Sequence, residues 1–104
     1  MTPLPVGRGT TTAIQGLSSY SSSQHWTPNR VRIQEGTWVK WVATSGTHTV
    51  VAYGGNWTYQ RDLAQGASVT RRFPHAGTYR FRCSLHSSVV NGTCEGMCGR
   101  IVVR

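Results

Sequence analysis

The chain has 104 residues, of which 13% are charged, and its eleven basic residues face three acidic ones, Glu35, Asp62 and Glu95, for a formal net charge of +8. That length fills one core and not two, so residues 1–104 read as a single domain, with 1–27 a loop-rich N-terminal strand region. No apolar run is long enough for a membrane span, nor, in "MTPLPVGRGTTTAIQGL", for the hydrophobic stretch of a signal peptide.

Thr, Ser, Gly and Val outnumber Ala, Leu, Glu and Lys, a balance that favours strands and turns over helices. Residues 1–30 show little periodicity, and "SSYSSSQ" reads as a loop or weak edge strand. In "RVRIQEGTWVKWVA", Val31 and Ile33 share one face, a turn falls at Glu35-Gly36, and Val39 and Trp41 then alternate against Trp38 and Lys40. "THTVVAYGG" continues as a short strand closed by Gly54 and Gly55, and the stretch Asn56–Gly66 allows one helical turn around "QRDLAQ". "ASVTRRF" alternates Val69, Arg71 and Phe73, a turn follows at Pro74–Gly77, and "TYRFRC" sends Tyr79, Phe81 and Cys83 one way and Arg80 and Arg82 the other. Cys83 is thereby expected inside, and "GRIVVR" is expected to bury Ile101 and Val103. Six to eight short strands with frequent turn residues predict an all-β, two-sheet antiparallel sandwich.

Three cysteines leave an odd one out, so one thiol has work other than a disulfide. Cys83 ends a strand, and His86 follows with two residues between, a spacing that lets a thiolate and an imidazole converge if the chain turns there. A second imidazole and a soft fourth donor would complete a two-His, one-Cys, weak-axial-Met set, which favours copper held for electron transfer. His48, at a strand start, and Met97, ahead of the last strand, stand where those donors are expected. His25 and His75 read as surface or core histidines, and Trp38, Trp41, Tyr79 and Phe81 as core or sheet cover. Asn56-Trp57-Thr58 and Asn91-Gly92-Thr93 match the glycosylation pattern, a motif that also arises by chance.

On "PNRVRIQEGTWVKWV", "HTVV", "FPHAGTYRFRCSLH" and "GMCGRIVV", in that order, the sequence over roughly residues 28 to 104 resembles the cupredoxins, the small blue copper proteins, and among them the plastocyanin and halocyanin-like members. The resemblance implies a Greek-key β-sandwich binding one copper ion at one end through His48, Cys83, His86 and Met97, and carrying single electrons by Cu(I)/Cu(II) cycling with no enzymatic turnover. It also implies that the His86 imidazole edge is the electron gateway within an apolar patch, which Leu85, Val89 and Val90 can supply.

Departures from the family pattern carry expectations of their own. Ten residues separate His86 from Met97, a long loop for a plastocyanin-like protein, and a disulfide between Cys94 and Cys98 would close the ring "CEGMC" around Met97. Cys94 as a copper ligand in place of Cys83 or Met97 is the alternative, disfavoured by a Gly-rich context with no strand to fix its direction. Thr49 stands beside His48 where the family commonly has Asn, and its hydroxyl can brace a neighbouring loop. Ser84 and Leu85 lie between Cys83 and His86; Leu85, unlike the plastocyanin Pro at that point, has an N–H that can point at the Cys83 sulfur.

Two other functions compete: thiol-disulfide redox through Cys94 and Cys98, which lacks C-x-x-C spacing, and a structural zinc or copper-delivery module. A copper thiolate with a disulfide points to an oxidising place, the periplasm or the outer face of the membrane. The positive surface calls for an acidic redox partner such as a cytochrome or a membrane oxidoreductase, and the chain is expected to be a monomer. Nucleic acid is not expected, because the arginines are spread along the chain without a reading motif.

Overall fold

The computed structural model describes residues 10–18 and 24–104. Among them lie nine strands and no helix: β1 (Thr11–Ser18), β2 (Gln24–Thr27), β3 (Arg30–Ile33), β4 (Thr37–Ala43), β5 (His48–Tyr53), β6 (Gln60–Leu63), β7 (Ser68–Phe73), β8 (Gly77–Val90) and β9 (Thr93–Val103). Most of "SSYSSSQ" falls outside the described residues. One sheet runs β2-β1-β4-β7 and the other β3-β9-β8-β5-β6. Their inner faces share one core, to which Ile14, Trp41 and Phe73 come from the first sheet and Leu63, Phe81 and Ile101 from the second.

The period-two pattern explains which face each strand buries. In β4, Val39 and Trp41 are buried while Trp38 and Lys40 are exposed, and in β8 Phe81 and Cys83 are buried between the outward Arg80 and Arg82. Ile101 and Val103 are buried in β9, as the sequence predicts. Trp41 anchors the centre, with Phe73 and Phe81 edge-on to its ring and Tyr59 tilted against it.

Three expectations are corrected. The strands number nine rather than six to eight, and the sheets are mixed rather than purely antiparallel, because β1 pairs in parallel with β4 and β3 with β9. The turn expected at Glu35-Gly36 is present, and it carries the chain from β3 in one sheet to β4 in the other. Residues 60–63 form strand β6 instead of a helical turn; pairing with the edge of β5 satisfies their backbone and drops Leu63 into the core opposite His48.

The hairpin of β8 and β9 replaces the long loop expected between His86 and Met97. Ser87 pairs with Gly96 and Val90 with Thr93 around a two-residue turn, Asn91-Gly92. Both turn residues have positive φ, 52° and 79°, the left-handed pair that a tight hairpin turn requires and that Asn-Gly supplies. The Asn-Gly dipeptide was thus a turn signal as well as part of a glycosylation pattern, and β-structure continues through "HSSVVNGTCEG".

Candidate metal centre

Strand pairing is regular on both sides of one defect, and the candidate site is that defect. Arg82 pairs with Cys98 and Ser87 with Gly96, so four residues of β8, 83 to 86, stand against a single residue of β9, Met97. A bulge of this size lifts Cys83-Ser84-Leu85-His86 out of the ladder and turns Cys83 and His86 toward one point. Ser87 helps to hold it: its Oγ–H donates to the Cys83 carbonyl, and the Arg82 guanidinium donates to Ser87 O and Oγ at 3.3 and 3.2 Å.

On the opposite strand the chain is drawn inward. Cys94 and Cys98 form a disulfide, and their Cα atoms are 6.2 Å apart although four residue steps separate them. An extended strand would cover about 13 Å in four steps, so the backbone between them is folded back on itself. Gly96, with φ of 100°, takes the fold; a Cβ there would strike the His86 carbonyl oxygen. Met97 is fully buried as a result. Cys94 therefore lies on a strand, contrary to the loop expected from its glycines, and its sulfur is bonded to Cys98.

His48, Cys83 and His86 come together: one ligand atom from each lies within 4.8 Å of the others. The Cys83 Sγ is 3.7 Å from His48 Nδ1 and 3.3 Å from His86 Nδ1. Met97 approaches from the β1 side, where its Cε and the His48 Cδ2 both border Gly16. His25 and His75 take no part in the cluster. Cys83, His48 and Met97 are fully buried and His86 is half-buried, so one imidazole leads to the surface. Leu85, Val89 and Val90 are exposed on the same hairpin.

The hydrogen bonds decide which nitrogen of His48 is available. A carbonyl can only accept, and Ser45 O lies 2.7 Å from Nε2, so Nε2 carries the proton and Nδ1 presents a lone pair toward the sulfur. Ser18 Oγ lies 3.4 Å from the same Nε2. Burial holds the His48 pKa below its ordinary value; the Ser45 bond opposes this, and the neighbouring His86 adds to it.

Thr49 does more than the sequence reading gave it. Its N–H donates to Cys83 Sγ at 3.3 Å, and its hydroxyl, 3.9 Å from the same sulfur, accepts from Ser84 N at 2.8 Å and lies 2.8 Å from Ser84 Oγ. The backbone donor to the sulfur is Thr49 and not Leu85, whose side chain is 59% exposed. Sequence reading missed Ser45, which orients His48, and Trp26, whose Nε1–H donates to the Met97 carbonyl at 3.3 Å. It missed Gly16 as well. The signals were weak, since Ser45 is one turn residue among many and Gly16 and Trp26 fall within residues 1–30, where little period is visible.

No family model matches the sequence, and no curated protein is significantly similar to it. Solved structures are similar in fold. Pseudoazurin from Methylobacterium extorquens AM1 superposes with a TM-score of 0.69 at 23% identity over 89% of this chain and 74% of that one. A purple cupredoxin from Nitrosopumilus maritimus gives 0.68 at 18% identity over 88% and 98%. All of this chain matches 23% of a Cu-containing nitrite reductase from Thermus scotoductus SA-01, with a TM-score of 0.67 at 22% identity. With nine strands in two mixed sheets and likenesses of this extent, the chain has the cupredoxin fold.

Proposed function

We propose that the chain is a one-electron carrier holding a single type 1 copper ion through His48 Nδ1, Cys83 Sγ, His86 Nδ1 and the thioether of Met97. The observation that carries this reading is the buried Cys83 sulfur with two imidazole nitrogens 3.3 and 3.7 Å away. The donor chemistry fits: one thiolate, two imidazoles and a soft thioether suit copper in both oxidation states. Copper bound there supplies the Cu(I)/Cu(II) couple, taking up and releasing one electron.

The chain's own residues make that useful. The Ser45 carbonyl keeps the His48 proton on Nε2, leaving Nδ1 ready as a donor before any ion arrives. The Thr49 N–H aimed at Sγ withdraws electron density from the Cys83 sulfur. Four donors on strands tied by a disulfide, a bulge and the Thr49–Ser84 bonds move little when charge changes, which keeps the reorganisation opposing transfer small. His86, half-buried beside exposed Leu85, is the point at which an electron would enter or leave. No substrate is converted. An acidic redox protein, such as a cytochrome or a membrane oxidoreductase, suits the charge of +8, and the disulfide suits the periplasm or the outer face of the membrane.

Titrating the metal-free protein with Cu(II) tests the reading. An intense visible absorption is expected at one equivalent, lost in Cys83→Ser and kept in Cys94→Ser. A colourless product, or colour that survives loss of Cys83, refutes it; tight zinc retention without colour supports a structural zinc module, and reversible cycling of Cys94 and Cys98 supports thiol redox chemistry.

A further inference from the structure

Arginines scattered in sequence are gathered by the fold. Arg30 of β3, Arg100 of β9 and Arg80 of β8 occupy one row across three adjacent strands, since Arg100 is the register partner of both Arg30 and Arg80. Tyr53 of β5 continues the row as the partner of Arg80. The four residues line an open groove of about 200 Å³ together with Asn29 and Cys98, on the outer face of the five-stranded sheet.

Cations directly opposite one another in a sheet repel, and such a row is ordinarily relieved by interleaved carboxylates. Here none is interleaved: among the described residues Glu35, Asp62 and Glu95 form no ion pair with these arginines. Hydrogen bonds to the strand backbones hold the row in place, with Arg100 N donating to Asn29 O at 2.9 Å and the Trp57 side-chain Nε1 donating to Arg80 O at 2.9 Å. Three arginines lining one small groove can offer up to about six forked N–H donors, more than the roughly four lone-pair sites of a single carboxylate, whereas a phosphate group offers oxygens in enough directions for all three.

We propose that Arg30, Arg80 and Arg100 form a binding site for a phosphate group, carried by the free ion or by a phospholipid headgroup. The site is independent of the metal reading and is expected in metal-free and copper-treated protein alike.

Inorganic phosphate is titrated against the full chain at constant ionic strength, with backbone amide shifts as readout, and co-sedimentation is measured with phosphatidylcholine vesicles with and without phosphatidic acid. Saturable shifts centred on Asn29, Arg30, Arg80 and Arg100 assign the free ion; binding to phosphatidic acid vesicles alone assigns the headgroup. Arg80→Gln and Arg100→Gln should each weaken binding about tenfold, the loss of one charge-assisted hydrogen bond. Arg71→Gln, which removes the same charge from the other sheet, should not. Lys at position 80 keeps the charge and loses the fork, so Arg80→Lys should also weaken binding. Equal effects of Arg71→Gln and Arg80→Gln, full binding by Arg80→Lys, or no saturable response to either phosphate source overturns the proposal.

Discussion

Gly16 is a residue on which two candidate ligands meet, and Gly16→Ala tests how tightly the centre is packed. A Cβ at this position would stand 3.0 Å from His48 Cδ2, 3.0 Å from Trp26 Cζ3 and 3.3 Å from Met97 Cε. Carbon atoms rest about 3.5–4.0 Å apart, so one methyl would overlap two rings by roughly 0.5–1 Å. Retreat is blocked, because His48 and Met97 are fully buried and Trp26 is 2% exposed. Overpacking of this kind costs about 1–3 kcal/mol, against about 0.5–1 kcal/mol gained by replacing a strand glycine with alanine, so overlap wins and a net loss centred on roughly 1 kcal/mol, within about 0–2.5, is expected. The assay is guanidinium unfolding of the metal-free protein, paired with the visible spectrum after adding Cu(II). Because the methyl presses on both His48 and Met97, the spectrum should change along with the midpoint. A Gly16→Ala protein as stable as the parent, with the same spectrum, would refute the reasoning.

Thr49→Val should destabilise the protein by about 1–3 kcal/mol, since Ser84 N and Oγ lose a partner in a half-buried place; Thr49→Ser should recover most of that in the same unfolding assay. Replacing Cys94 and Cys98 together by Ser opens a five-residue ring worth on the order of 2 kcal/mol by the chain-entropy estimate, read as a lower denaturation midpoint, and an unchanged midpoint counts against it. For His48, whose folded pKa lies below the ordinary 6.5, the unfolded chain takes up a proton that the folded one refuses. Its contribution to the metal-free protein is therefore complete above pH 6.5 and is lost as the pH falls from there toward the lowered folded pKa. The unfolding midpoint should drop over that window and drop less in His48→Gln; a midpoint that rises as acid is added contradicts the burial argument.

Alternation along β4, β8 and the end of β9 was legible because the sandwich buries one face of each strand and two-residue periodicity is a local property. The convergence of His48, Cys83 and His86 within 4.8 Å was legible for a related reason: a soft donor set for one ion is a chemical statement that needs few neighbours. Legibility ended where long-range contacts choose among local options. β1 lies at the heart of its sheet, between β2 and β4, yet "TTAIQGLS" has no strong period, because parallel pairing with β4 and the approach of Trp26, not its own pattern, hold it there. β6 became a strand because β5 offered an open edge.

What the amino-acid order determined by itself was the inventory: inward and outward faces, one free thiol and a basic surface. Tertiary structure alone decided that β3 and β4 part into different layers, that four residues bulge against Met97, that Thr49 supplies the backbone donor to the sulfur, and that three distant arginines share one row. The physical reason is that side-chain direction is set by backbone geometry over two or three residues, whereas neighbours across a sheet are set by register, which depends on how the whole core packs.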